Sequence, residues 1–284
     1  MKYGFIEEYR YEHRIETMCR VLEVSRSGYY RWWRRSENRG DTALLEQIKT
    51  AYERGRGTYG SPRITAELKA QGVGCSENRV ARIMRKYGIV AKTKRKFKVT
   101  THSKHKKPVA ANLVKQEFVA QRPNQLWTSD ITYVWTKEGW LYLAIILDVY
   151  SRSIVGWTLS SRLTAELVVA AFYQALKRRH LTAEMIFHSD RGSQYADETI
   201  RTALHLLGIR QSMSGTGNCY DNAITESVFH TIKTELIYFH QYETRQEAAS
   251  SIFEYIEIFY NRQRRHSALN YKSPFDFEQQ YFLS

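Results

Sequence analysis

Between Ala91 and Lys107 the chain carries eight basic side chains (Lys92, Lys94, Arg95, Lys96, Lys98, Lys104, Lys106 and Lys107) and no acid. A run of this kind cannot collapse against its own repulsion, so it separates two parts that must each bury a core of their own. The charge divides in the same way. Residues 1–122 hold 28 basic and 12 acidic side chains, a net charge of +16, whereas residues 123–284 hold 15 and 17, a net charge of −2. The basic part fits a polyanionic partner, nucleic acid or an anionic surface. With 284 residues, 43% of them apolar, the chain is long and apolar enough to exclude disorder. Its four prolines favour long helices over rigid spacers.

A membrane span is excluded, because the apolar stretch Leu141–Leu147 falls short of the roughly 20 residues a bilayer needs. Lys2, Glu7, Glu8, Arg10 and Glu12 leave no apolar segment for an export signal. Cys19, Cys75 and Cys219 are odd in number and far apart, which argues for a reducing compartment and against a disulfide framework or a cysteine-ligated zinc site. The expected location is the cytoplasm, with the nucleoid.

In the basic part, Ile15, Met18, Cys19 and Leu22 have helical spacing, and Ser25 or Ser27 can cap the aromatic and basic stretch Tyr29–Arg35. A second unit follows, with a stripe of Leu44, Leu45, Ile48 and Tyr52. Ser61-Pro62 then reads as an N-cap with Pro at the first helical position, Gly72 and Gly74 as a break, and Ser76 as the cap of a last helix. That helix sets Val80, Ile83 and Met84 against Arg79, Arg82, Arg85 and Lys86, the pattern of a helix-turn-helix whose second helix enters a major groove. A helical bundle with a solvated basic face fits the pattern equally well. The lysine-rich run beyond it favours DNA, because Lys92, Lys94, Arg95, Lys96 and Lys98 can track phosphates between two folded parts.

Beyond Pro123 the period changes to two. Trp127, Ser129, Ile131, Tyr133 and Trp135 share one face of a strand, and Thr128, Asp130 and Thr132 the other. Lys137-Glu138-Gly139 is a turn, Trp140–Leu147 a central strand and Ser153–Ser160 a third. Next come a helix from Thr164 to Arg179, a strand from Met185 to Ser189, a helix over Asp197–Leu207 and a strand over Ile209–Met213. A glycine-containing loop, Ser214–Tyr220, leads to helices over Asp221–Tyr238 and Thr244–Arg262. The result is an α/β mixed sheet with helices on its faces.

Asp130 and Asp190 fall at strand positions, and Glu226 stands with Asn222, His230 and Lys233 on the polar face of a helix whose core face is Ile224, Val228, Ile232 and Leu236. Each has a plainer reading: a turn-forming aspartate for Asp190, a solvated helix face for Glu226. Asp130 has the weakest such reading, since a carboxylate within an apolar strand needs a partner or a metal. Asp148, at a turn, is its main competitor. His188 is either packing or support for Asp190, and Arg262, Arg264, Arg265 and His266 are either DNA-facing or a solvated helix end. Three converging carboxylates suit phosphoryl transfer with two divalent ions. No histidine pair, P-loop or GxSxG motif points to other chemistry.

Taken together, WTSDITYV (127–134), LDVYSRSIVGW (147–157), HSDRGSQY (188–195), GTGNCYDNAITESVFHTIKTEL (215–236) and YNRQRRHSALNYKSPFDF (260–277) resemble the integrase-type DDE transposases. More narrowly, they are similar to the second-frame subunit of bacterial insertion sequences related to retroviral integrases, and TYGSPRI (58–64) and SENRVARIMRKYGI (76–89) resemble that family's helix-turn-helix region. The resemblance implies an RNase H-like catalytic domain with Asp130, Asp190 and Glu226 as the catalytic and metal-binding triad for two Mg²⁺ ions, Mn²⁺ substituting. It implies Lys233 as a DNA contact. Asn222, one turn before Glu226, either orients that carboxylate or touches DNA. The resemblance further implies double-stranded DNA as partner, a homo-oligomer on DNA, and an upstream-frame subunit or fusion. The expected organisation is a helical segment over 1–40, a second helix-turn-helix domain over 41–98, a basic linker over 99–121, the catalytic core over 122–263 and an extension over 264–284. Two other functions stay open: a DNA-binding regulator with an inert RNase H-like domain, and a nuclease that cuts without joining.

Overall fold

The computed structural model describes residues 1–92, 108–215 and 219–283. It forms two compact units, Met1–Lys92 and Thr93–Ser284.

In the first unit, α1 (Lys2–Glu8), α2 (Ile15–Val21) and the start of α3 (Arg26–Arg54) enclose Ile6, Met18, Cys19 and Tyr29. Ser25 caps α3, its hydroxyl accepting from the Gly28 amide at 2.9 Å. The expected boundary at residues 40/41 does not exist, because α3 is one helix of 29 residues running through it. Its far half buries Leu44, Leu45, Ile48 and Ala51 where it meets α4 (Ser61–Ala70) and α5 (Glu77–Lys86), which bring Ile64, Leu68, Val80, Ile83 and Met84. The N-cap of α4 is Gly60 rather than Ser61, and Pro62 sits within the first turn, where its missing amide proton leaves no helical bond unmade. Gly72, at φ +80°, makes the turn into α5, and the Ser76 hydroxyl accepts from the Arg79 amide.

The second unit is built on a five-stranded sheet of order β3-β2-β1-β4-β5. β1 (Leu126–Thr136), β2 (Gly139–Asp148) and β3 (Ile154–Ser160) form an antiparallel meander, and β4 (Ile186–Ser189) and β5 (Arg210–Met213) add parallel to β1. α6 (Ala165–Arg178) and α7 (Glu198–Leu206) cover one face, closing a core of Trp127, Ala144, Ile146, Val155, Leu167, Phe172, Phe187, Ile200 and Met213. Gly156 is required there: a Cβ on it would stand 2.3 Å from the Ala171 carbonyl oxygen of α6. α8 (Ala223–Glu235) crosses the other face, and α9 (Arg245–Phe253) and α10 (Pro274–Leu283) complete the unit.

Three expectations change. Residues 110–120 are no free linker, since the Leu113 amide donates to Ser212 Oγ at 2.9 Å and Val114 is buried with Leu126 and Val149. Residues 99–107 lie outside the described part. The C-terminal residues are no appendage either, since Arg264 is buried and Glu278 of α10 pairs with Arg179 after α6. The helix expected over Thr244–Arg262 stays helical but winds from α9 into a π-helix over Glu254–Tyr260. The wider turn brings Tyr255, Ile256, Phe259 and Tyr260 together into the interior.

Candidate active site

β1 and β4 run parallel, and their last paired rung joins Ser129 to Ser189. Asp130 and Asp190 are therefore the next residues on adjacent strands, carried to the same end of the sheet. Each uses one oxygen locally: Asp130 Oδ1 accepts from the Ile131 amide at 2.7 Å and Asp190 Oδ1 from the Gly192 amide at 2.9 Å. The turn reading of Asp190 thus holds alongside any role in chemistry. Beneath them the Tyr195 hydroxyl lies 2.9 Å from Ser129 Oγ, fully buried, and the two aspartates push its ionisation well up on top of the effect of burial.

Glu226 comes from α8. The helix is fixed on the sheet by Thr225, whose buried hydroxyl lies 2.8 Å from Thr128 Oγ1 and 2.9 Å from Asn222 Oδ1. Thr128 stands two residues before Asp130 on the same face, so this contact sets the neighbouring Glu226 toward the aspartates. Val228, Ile232 and Leu236 are buried as expected, joined by Thr225 and Phe229, while Ile224 packs beside Val114 and Leu126.

The electrostatics report a common site. Burial, then Asp190 and Glu226, hold the Asp130 carboxyl well above the usual carboxylate range, with the Ile131 amide and Lys233 opposing. Burial and then Asp190 raise Glu226. Lys233 is lowered by burial against the pull of Asp130, and its Nζ lies 5.4 Å from the centre of the Tyr133 ring. The carboxylates repel one another, a state that a bound cation relieves. Among the described residues no three His, Cys, Asp or Glu side chains, these carboxylates included, stand in an arrangement that could hold a metal ion. As a donor set, hard carboxylate oxygens at a shielded strand end fit a divalent cation of the Mg²⁺ type.

Asp148 is removed as a competitor. It is fully buried and accepts from the Asn124 amide at 2.8 Å and the Tyr150 amide at 2.9 Å, which is turn architecture. His188 is also buried, 2.8 Å from Ser212 Oγ and 2.6 Å from the Asp221 carbonyl, so it binds β4 to β5 and to the segment entering α8. Asp221 was not singled out from sequence. Its carboxylate accepts from the Gly215 amide at 2.6 Å and from Asn112 Nδ2 at 2.9 Å, closing the base of the loop before α8. Its place in the GTGNCYDN stretch was the only available signal. Residues 216–218 of the glycine-containing loop lie outside the described residues.

An integrase core domain model matches residues 120–219, a second integrase core domain model residues 207–274, and an HTH-like domain model residues 39–97. The transposase InsF of insertion sequence IS3A from Escherichia coli K12 is 43% identical over 283 residues, 98% of either chain. A 31 kDa protein of insertion element IS600 from Shigella sonnei is 46% identical over 267 residues, 93% of this chain and 98% of that one. Among solved structures, the HTLV-2 integrase catalytic core in complex with magnesium is 14% identical over 56% of this chain and 99% of that chain, at a TM-score of 0.45. The chain belongs to the IS3-type transposases.

In this transposase the residues expected on DNA separate into groups. Arg79 Nε lies 3.0 Å from Asp41 Oδ1 and Arg82 Nη2 3.1 Å from Asp41 Oδ2, so both are held from α3 rather than standing free on α5. Arg85 and Lys86 are exposed. Lys92 is exposed and its amide donates to the Gly57 carbonyl at 2.8 Å. Lys94, Arg95, Lys96 and Lys98 lie outside the described residues. Asn222 is corrected: it is buried, and its side-chain oxygen faces Thr225. Arg264 is corrected too, since it is directed into the fold on Glu235. Among the described residues no helix is long and apolar enough to cross a membrane.

Proposed function

We propose that this DNA transposase uses Asp130, Asp190 and Glu226 to cleave element ends and join the resulting 3′-OH to a second DNA. The observation that supports the reading is the parallel rung of Ser129 and Ser189, after which Asp130 and Asp190 are the next residues, with Glu226 near enough on α8 for Asp190 to raise its carboxyl. The three carboxylates would hold two divalent ions, Mg²⁺ or Mn²⁺, which supply activation of the attacking oxygen and charge stabilisation at the leaving oxygen.

Asp130 stands on β1 and Asp190 one residue past the end of β4, so the last paired rung limits how far they separate and the reorganisation needed during reaction. Glu226 approaches from the helix side. Lys233, half-buried beside Asp130, is placed to meet a non-bridging phosphate oxygen, and the Tyr133 ring under its ammonium limits its swing. Water attacks first and a 3′-OH second, each in line at phosphorus, with no covalent link to the protein. α4 and α5 hold duplex DNA through Arg85, Lys86 and the lysine-rich run that follows, and the working form is a multimer on DNA, with an upstream-frame subunit or fusion.

The test is strand transfer with end-containing oligonucleotides in Mg²⁺. Asp130→Asn, Asp190→Asn and Glu226→Gln are each expected to lose cleavage and joining while keeping DNA binding. Retained joining in any of them overturns the assignment. Cleavage without joining in the unmodified protein supports a plain nuclease, and binding with neither activity an inert regulator.

A further inference from the structure

We propose that Asp221 is a positioning residue for Glu226, held in place by Asn112, a reading that rests on the active site described above. Asp221 directly precedes Asn222, the N-cap of α8, and Glu226 lies in the first turn of that helix. Asn222 makes no side-chain cap, so contacts from elsewhere must fix the direction in which α8 starts. Asp221 gathers several of them. It is 2% exposed, and its Oδ2 accepts from the Gly215 amide at 2.6 Å and from Asn112 Nδ2 at 2.9 Å. Its carbonyl lies 2.6 Å from His188 Nε2; a carbonyl only accepts, so that nitrogen carries the proton and donates.

The contacts close into a ring. His188 Nδ1 lies 2.8 Å from Ser212 Oγ, and that oxygen accepts at 2.9 Å from the amide of Leu113, the residue after Asn112. β4 through His188, β5 through Ser212, the segment at 112–113 and the start of α8 are thus bound to one another around Asp221. The loop between β5 and α8 is pinned at its other end too. The Ser214 amide donates to the Ser189 carbonyl at 3.0 Å and Arg191 Nε to the Ser214 carbonyl at 2.6 Å, so the residues on either side of Asp190 hold the loop where it begins. Asn112 divides its side chain between two tasks. Its oxygen accepts from the Val114 and Lys115 amides at 3.1 and 2.9 Å and shapes its own turn, whereas its nitrogen reaches Asp221. One substitution separates them: Asn112→Asp keeps the accepting oxygen and sets a second carboxylate against Asp221 Oδ2 where a donor stood. Because Asn112 follows the lysine-rich run in sequence, the lock ties the start of α8 to the segment leaving that run.

The experiment compares the full chain with its Asn112→Asp and Asp221→Asn variants in two ways: hydrogen exchange of α8 without DNA, and the rate of joining against DNA concentration. Exchange over Ala223–Glu235 is expected to quicken in both variants, because opening of the helix start no longer has to break the contacts around Asp221. The maximal joining rate is expected to fall on the order of 10- to 100-fold at an unchanged KM for DNA, as a misplaced group does and a lost duplex contact does not. If Asn112 only builds its own turn, Asn112→Asp is silent, and that result overturns the proposal. So does a slower rate with exchange of α8 unchanged, or a lowered melting temperature with DNA binding lost in proportion, which marks a merely structural contact. Glu226→Gln separates this proposal from the catalytic one. It is expected to abolish joining and leave exchange of α8 as it was; joining retained there defeats the catalytic reading, whereas unchanged exchange in Asn112→Asp defeats the lock alone.

Discussion

Replacing Arg264 with alanine isolates the interaction that anchors α8. Arg264 Nη2 lies 2.6 Å from Glu235 Oε1 and Nε 2.8 Å from Oε2, and the side chains are 4% and 8% exposed. The Tyr255 hydroxyl donates to Oε2 at 2.7 Å. Removing one partner of a buried, doubly bonded pair leaves a carboxylate away from water, a loss of about 3–5 kcal/mol. At about 2–4 °C per kcal/mol for a unit of this size, the larger unit should melt about 6–20 °C lower. Calorimetry on the full chain resolves this as a shift of one transition, since residues 1–92 form a separate unit. The paired change Glu235→Leu, Arg264→Met with Tyr255→Phe removes both charges and the hydroxyl that Glu235 accepts, and should recover most of the loss. Because Glu235 ends the helix that carries Glu226 and Lys233, Arg264→Ala should also slow joining. A melting shift below about 3 °C, or a paired variant as unstable as the single one, would refute the reasoning.

Three further outcomes are expected. Without metal, the raised Asp130 and Glu226 contribute stability that is full below their unfolded values near pH 4 and lost as pH rises through their higher folded values; Mg²⁺ should therefore raise the melting temperature more at pH 8 than at pH 5, and a pH-independent gain would count against the site. Gly156→Ala drives a methyl group into the Ala171 carbonyl and should destabilise by at least the roughly 1–3 kcal/mol of ordinary overpacking, read as a lowered melting temperature. Asp41→Ala should remove the carboxylate that neutralises Arg79 and Arg82, tightening binding to random duplex and steepening its salt dependence, whereas Arg85→Ala and Lys86→Ala should each flatten the slope by about one unit.

The catalytic unit was legible wherever short-range periodicity reports burial. Alternation marked β1, the continuous run from Trp140 marked β2 as a central strand, and the stripe through Val228 and Ile232 marked the inner face of α8. What stayed hidden depends on partners distant in the chain. Asp41 meets Arg79 and Arg82 across 38 and 41 residues, Asn112 meets Asp221 across 109, and Arg264 meets Glu235 across 29. In a run such as Arg262–His266 the buried Arg264 is chemically identical to exposed Arg262 and half-buried Arg265, and only the acid waiting in the fold distinguishes it. The continuity of α3 was concealed for a different reason. Its middle is polar and contains a glycine, so the apolar stripes at its two ends read as separate helices, although helix propensity does not require an apolar face along its whole length.

That continuity makes α3 a ruler. Its 29 residues at 1.5 Å each extend about 43 Å, longer than the roughly 34 Å of one turn of B-form DNA. The aromatic cluster around Tyr29 and the α4–α5 pair are mounted on one rod, so their separation and mutual rotation are set by residue count. Adding a single residue between them would advance one end by about 1.5 Å and turn it by about 100° relative to the other. Length variation in this stretch therefore acts as a change of gearing between two surfaces, even where every side chain at both ends is left untouched.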